Sequence, residues 1–262
     1  MSRSLNELFD MLYNSDDSCS NGKRQEDLFG YADVTPAPSY KYEKTDLQII
    51  SDFYSGNFDL SLLNESGRSF FELSIDAFDV FINAWMSELP IEKELLAFGR
   101  RIIAAEKTGA DPDAAAVDRG DLETIAVLKA AQKTQREYHR MQGLFRFSPD
   151  ENGAYIARCA TDHLIVPMFG GYLTARFGET AWALIDEKRF LCLFREPPEQ
   201  AKIVQLKTCE PEKILPFIYQ STDEWEELWK HYHKTINNES RNNAGLQRQL
   251  MPKRYWKYLP EV

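Results

Sequence analysis

A chain of 262 residues with 43% hydrophobic and 27% charged side chains has enough apolar surface for one large domain or two small ones. Its 31 basic and 41 acidic side chains give a formal net charge of −10, which argues against a generic nucleic-acid coat and against a membrane-surface protein. The charge is uneven: residues 1–120 carry 11 Lys/Arg against 22 Asp/Glu, whereas residues 229–262 carry 7 against 2.

Leu5, Leu8, Phe9 and Leu12 recur at i, i+3, i+4 and i+7, one apolar face of a short helix. Residues 14–46, rich in Ser, Asp, Asn, Lys and Pro, read as a polar linker, so 1–46 is expected to be a short amphipathic helix on a tether. That helix can dock on a partner, but packing back on its own domain is the stronger expectation. A single α+β domain is expected over residues 47–262. Within it, Ser69 and Glu72 have capping-box spacing, and two apolar stripes run from Phe70 to Trp85, as in a helix buried on most sides. Pro90 fits a first helical turn, Leu95, Phe98 and Ile102 continue a buried face, and Gly109 ends it. Residues 109–120 read as an irregular connection.

Residues 121–142 form a long helix that starts near Asp121 and closes at Gly143, with Leu122, Ile125 and Leu128 on its apolar side. Lys129, Lys133, Arg136 and Arg140 share one face, and Glu137 is the only acid between residues 124 and 149. A solvated face and an anion-binding stripe for a phosphate backbone are the two readings of that pattern. After Gly143 the period changes to two. Strands are expected at 144–147 and 154–159 around a Pro-Asp/Asn-Gly hairpin, then a helix at 167–177 loosened by Gly170 and Gly171. Further strands follow at 182–186, 190–194 and 203–206, giving a small antiparallel sheet interrupted by one helix.

Trp225, Leu228, Trp229, Tyr232 and Ile236 then fall on one helical face, read as core. The end of the chain mixes cations, amides and aromatics, including Arg241, Asn242, Arg248, Lys253, Arg254 and Trp256, the residue types that phosphate contacts, base-edge hydrogen bonds and stacking need. An oligomer contact could use the same residues.

The sequence carries no phosphate loop, no Gly-x-Gly-x-x-Gly, no His-Glu-x-x-His and no Gly-x-Ser-x-Gly. Cys19, Cys159, Cys192 and Cys209 are scattered, so no metal, no cofactor and only reduced thiols of a cytoplasmic protein are expected. No stretch approaches the roughly 20 apolar residues of a membrane span. His139 lies between cations that favour its neutral form, so it can serve as a base or acceptor with Asp186 or Asp162, while a hydrogen-bonded junction histidine is the plainer reading.

Residues 138–147 (Tyr-His-Arg-Met-Gln-Gly-Leu-Phe-Arg-Phe), 154–157, Arg176-Phe177, 182–189, and Arg241-Asn242 through Gln247 to Met251-Pro252-Lys253-Arg254-Tyr255-Trp256 resemble a bacterial family assigned to DNA metabolism and repair. The resemblance is strongest over 121–190 and 225–261. In that family the domain often precedes a uracil-DNA-glycosylase-like domain, and a radical S-adenosylmethionine (radical SAM) repair protein is the usual companion. This chain departs from the pattern with Tyr172-Leu173 in place of a His-Phe pair, and it shows neither the Asp-Gly-Ser start nor the glycosylase-like domain. The resemblance therefore implies a protein that binds DNA beside a radical SAM or glycosylase partner. Lys133, Arg136, His139, Arg140, Arg146, Arg241, Arg248, Lys253 and Arg254 are expected on one basic surface. The alternatives are a hydrolase or nucleotide-modifying enzyme using His139 with Asp186 or Asp162, and a protein-interaction module without nucleic-acid binding, in which residues 1–46 and the helical N-terminal half hold a radical-enzyme partner.

Overall fold

A capping box opens the first helix. The Ser4 hydroxyl accepts from the Glu7 amide and the Glu7 carboxylate accepts from the Ser4 amide, so α1 (Leu5–Tyr13) starts with two orphan donors satisfied. Its Leu5, Leu8, Phe9 and Leu12 are all buried, and the Phe9 ring stacks on Phe78 and Phe81. The amphipathic N-terminal segment is thus part of the core. This is a computed structural model, and it describes residues 3–14, 42–150, 153–206, 228, 231–232, 234–235 and 243–259.

After α2 (Lys44–Ser55), the expected long helix from Phe70 to Trp85 is two helices, α3 (Glu65–Leu73) and α4 (Ile75–Met86). Ser69 lies inside α3 and caps nothing there. Asn64 caps α3 through the Gly67 amide, and Ser74 caps α4 through the Ala77 amide at 2.9 Å. Ser74 breaks the run because its extended backbone ends one helix while its hydroxyl starts the next. Helix α5 (Glu92–Lys107) ends before Gly109, whose φ of 74° suits glycine. A short helix, α6 (Pro112–Ala116), occupies the expected irregular connection.

Helix α7 (Leu122–Leu144) begins at Asp121, whose carboxylate accepts from the Thr124 amide at 2.8 Å. It does not stop at Gly143. The helix runs one residue further, and its end is closed by the Phe145 amide on Met141 and by the Arg146 guanidinium on the Gly143 carbonyl, 2.8 Å away. Residues 145–147 consequently form no strand, and Phe145 turns into the core, where it meets Phe169.

The sheet has the order β1-β2-β3-β4-β5, from β1 (Ser148–Pro149), β2 (Tyr155–Cys159), β3 (Trp182–Asp186), β4 (Leu191–Arg195) and β5 (Lys202–Gln205). It is mostly antiparallel, but β2 and β3 pair in parallel, with Tyr155 opposite Trp182 and Cys159 opposite Asp186. A parallel pair needs a crossover, supplied here by a 3-10 turn at Val166–Phe169 and α8 (Gly170–Phe177). Gly170 and Gly171 do not loosen that helix. They let it approach α2: a Cβ on Gly170 would lie 2.7 Å from Ser55 Oγ, and one on Gly171 would lie 3.2 Å from the Tyr54 carbonyl.

The architecture is α+β: N-terminal helices, a central sheet and C-terminal helices, the last being α9 (Ala244–Leu250) and a 3-10 helix at Lys253–Tyr258. Leu228 and Tyr232, expected in a core, are more than half exposed, while Trp225, Trp229 and Ile236 lie outside the described residues. Among the described residues no helix is long and apolar enough to cross a membrane.

Candidate nucleic-acid interface

Helix α7 organises the site because three different surfaces run along it. One is buried: Val127, Ala130, Thr134, Glu137, Met141 and Leu144 face the core. A second carries Lys129, Lys133 and Arg136, all exposed, and half-exposed Arg140. No acidic side chain among the described residues pairs with any of the four. The third bears Ile125 and Leu128, half-buried members of the expected apolar side, whereas Leu122, which is 78% exposed, stands seven residues before Lys129 and so on the cation face.

The buried side ends in a polar hub. Glu137 is 3% exposed, and its carboxylate accepts from the Asp162 amide at 2.7 Å, the His163 amide at 2.8 Å and the Tyr255 hydroxyl. A buried carboxylate is tolerated when its lone pairs are filled in this way. Burial and then its hydrogen bond to the Glu137 carboxylate push the Tyr255 phenol up, so it stays a donor. Arg189 closes the other side of the same loop. Its guanidinium donates to the Thr161 and Asp162 carbonyls and pairs with Asp186 at 2.8 Å and with Glu88. Lys188 adds a bond to the Asp162 carbonyl at 2.8 Å, and His163 Nδ1 lies 2.8 Å from the Ser87 carbonyl. The segment Thr161–Asp162–His163 is thus fastened by α7, the end of α4, the β3–β4 turn and the C-terminal motif.

This hub brings the two halves of the expected signature together, since Tyr255 seats the C-terminal 3-10 helix on α7. Glu137 has Lys133 four residues before it and Arg140 three after it, so the motif lies along the margin of the cation face. Arg254 pairs with Asp162 at 2.7 Å and stacks over Tyr255, so its charge is already matched. Lys253 sits over the Trp256 ring, whose indole N–H donates to the Met251 carbonyl. Arg248 is exposed on α9, Arg146 caps α7, and Arg241 and Asn242 lie outside the described residues.

The proposed acid/base pair does not assemble. Asp186 is 0% exposed at the end of β3, and its carboxylate is taken by Arg189 and by the amides of Lys188 and Arg189. Burial raises its pKa and the Arg189 charge opposes that rise. His139 is exposed on α7, and its one ring contact among the described residues is with the edge of Tyr138. Asp162 and His163 are adjacent yet bound to different partners, Arg254 and Ser87.

Sequence reasoning missed Glu137 and Arg189 as the ties of this hub. For Glu137 a signal existed: it occupies the same helical stripe as Val127, Ala130, Thr134, Met141 and Leu144, where an acid must be partnered. Arg189 gave little, because apart from Asp186 three residues before it its partners are 27 to 101 residues away.

Among the described residues no cluster of three His, Cys, Asp or Glu side chains is placed to hold a metal, and Cys159 and Cys192 are free thiols. Comparisons with curated proteins and with solved structures give no match. The family model described as Domain of unknown function (DUF4130) matches residues 100–261, more than half of the chain and the span that holds α7, the sheet and the C-terminal motif, and the chain belongs to that family.

Proposed function

We propose that this protein binds nucleic acid along the cation face of α7, with the C-terminal motif as the second wall of the interface. The observation that carries the reading is the row of Lys129, Lys133, Arg136 and Arg140, none of them paired with an acid among the described residues. Like charges four residues apart destabilise a helix by a few tenths of a kcal/mol per pair, and a polyanion removes that cost. Several cations elsewhere are matched, Arg101 to Asp118 and Asp121, Arg158 to Glu187, Arg189 to Glu88 and Asp186, while others such as Arg68, Lys93 and Lys107 have no acidic partner among the described residues; what sets α7 apart is four such cations on one face. The stripe stands out in a protein of net charge −10.

The resemblance to the DNA-metabolism family supports a DNA ligand and a role beside a radical SAM repair protein or a glycosylase. Electrophoretic shift of single- and double-stranded DNA at low salt tests the reading. Wild-type protein is expected to bind, and Lys129→Ala/Lys133→Ala to bind at least tenfold more weakly, since each lost phosphate contact lowers affinity and salt dependence together. Absence of binding by the wild type at low salt contradicts it.

A further inference from the structure

A groove of about 560 Å³ opens between α4, α7 and the segment just before α7. Val80, Val117, Ile125 and Leu128 line it, and none of them is buried. The apolar surface continues past the rim. Val117 is 60% exposed and Leu122, three residues before Ile125, is 78% exposed, the two largest values for a bulky apolar side chain among the described residues. Ile75, one turn before Asp79 on α4, is 57% exposed. Exposed apolar side chains gathered around a concave surface mark an interaction site. Along α7 the lining runs from Ile125 to Gln135, roughly 15 Å of helix.

The free charge of the groove is positive. Arg119 and Lys129 are exposed lining residues without an acidic partner among the described residues. The acids on either side of Arg119 in sequence, Asp118 and Asp121, are both taken by Arg101. Asp79 is the one acid among the lining residues, and its Oδ1 accepts from the Tyr54 hydroxyl at 2.7 Å and from Asn83 Nδ2 at 3.0 Å. We propose that the groove docks an amphipathic helix of a partner protein, with bulky apolar side chains facing the groove and carboxylates flanking them. Anchors at i, i+4 and i+7 of such a helix span about 10 Å, within the length that α7 offers. Its carboxylates meet Arg119 and Lys129, whereas a basic helix would set like charges against them. A phosphate backbone has nothing to place on an apolar wall, so the partner and a nucleic-acid strand occupy neighbouring surfaces that share Lys129. The inference does not rest on the nucleic-acid reading.

The test selects binders of the full chain from a displayed library of random peptides about 16 residues long, enough for four helical turns. Enriched peptides are expected to carry net negative charge and large apolar residues at i, i+4 and i+7. By fluorescence anisotropy, Arg119→Glu should weaken them at least tenfold and Val117→Ser about fivefold. Both positions are exposed, so the fold is kept. Val117→Ser should bind single-stranded DNA as the wild type does, which separates this groove from the cation face. Failure to enrich any such peptide, enrichment of neutral or basic ones, or equal binding of the selected peptides to the wild type and both variants overturns the proposal. Selection of peptides that copy a stretch of this chain also overturns it, because the occupant would then be the chain itself or a second copy.

Discussion

The two long sides of α7 treat charge in opposite ways. On the side facing Thr161–His163 every ionised group is matched: Glu137 takes three donors, Arg254 meets Asp162, and Arg189 meets Asp186 and Glu88. On the other side four cations stand without an acidic partner among the described residues, next to a cavity walled by Ile125 and Leu128. Matched charge inside a protein fixes one arrangement, because removing either partner leaves the other buried and uncompensated. Unmatched charge in solvent adds nothing to folding. The first side is therefore read as architecture and the second as the place where another molecule completes the chemistry.

Substitutions can break that contrast. The largest effect is expected at Glu137→Ala, which strands the amides of Asp162 and His163 and the Tyr255 hydroxyl. A loss of roughly 3–5 kcal/mol in urea unfolding is expected. A loss below about 1 kcal/mol would mean that the hub is not structural.

Asp46 offers an independent check that unmatched burial is costly. Its carboxyl is pushed up to about 7 by burial, against the Leu5 amide that favours the charged form, and its Oδ2 has no partner. A folded-state value above the unfolded one means that the folded protein binds the extra proton. Stability from this group therefore falls as pH rises from about 4 to about 7 and stays low above, by at most about 4 kcal/mol. Asp46→Asn should remove that decline, so melting curves of the two proteins should converge at low pH and separate at pH 8, with the variant more stable.

Smaller effects sharpen the comparison. Tyr255→Phe should cost roughly 1–2 kcal/mol, since it removes one hydrogen bond to a charged group and keeps the ring. Lys133→Ala/Arg136→Ala should leave the unfolding midpoint within about 0.5 kcal/mol of wild type, or raise it slightly by relieving repulsion. A strong destabilisation there would show that the stripe has a folding role.

Much of this contrast was legible in the sequence, but not all of it. Cations at i, i+4, i+7 and i+11 declare a shared face because helix geometry is local. The α1 face and the β3 and β4 runs were readable for the same reason. The parallel β2–β3 pairing was not, since it depends on how the crossover through α8 returns to the sheet. Gly143 misled because helix closure was decided by a side chain three residues later, Arg146. The apolar side of Ile125 and Leu128 was legible but its destination was not, because such a face reads the same whether it fills a core or lines a cavity. Asp186 looked available for catalysis only while its neighbour Arg189 was unknown as a partner.

The most direct measurement is the salt dependence of single-stranded DNA binding by the wild type and by Lys133→Glu/Arg136→Glu. If the four cations of α7 each meet a phosphate, log affinity should fall against log salt with a slope of about −3 for the wild type, and the variant should bind at least a hundredfold more weakly with a slope near about −1. Wild-type protein that does not bind at low salt, or a variant that binds with the same affinity and slope, would contradict the account.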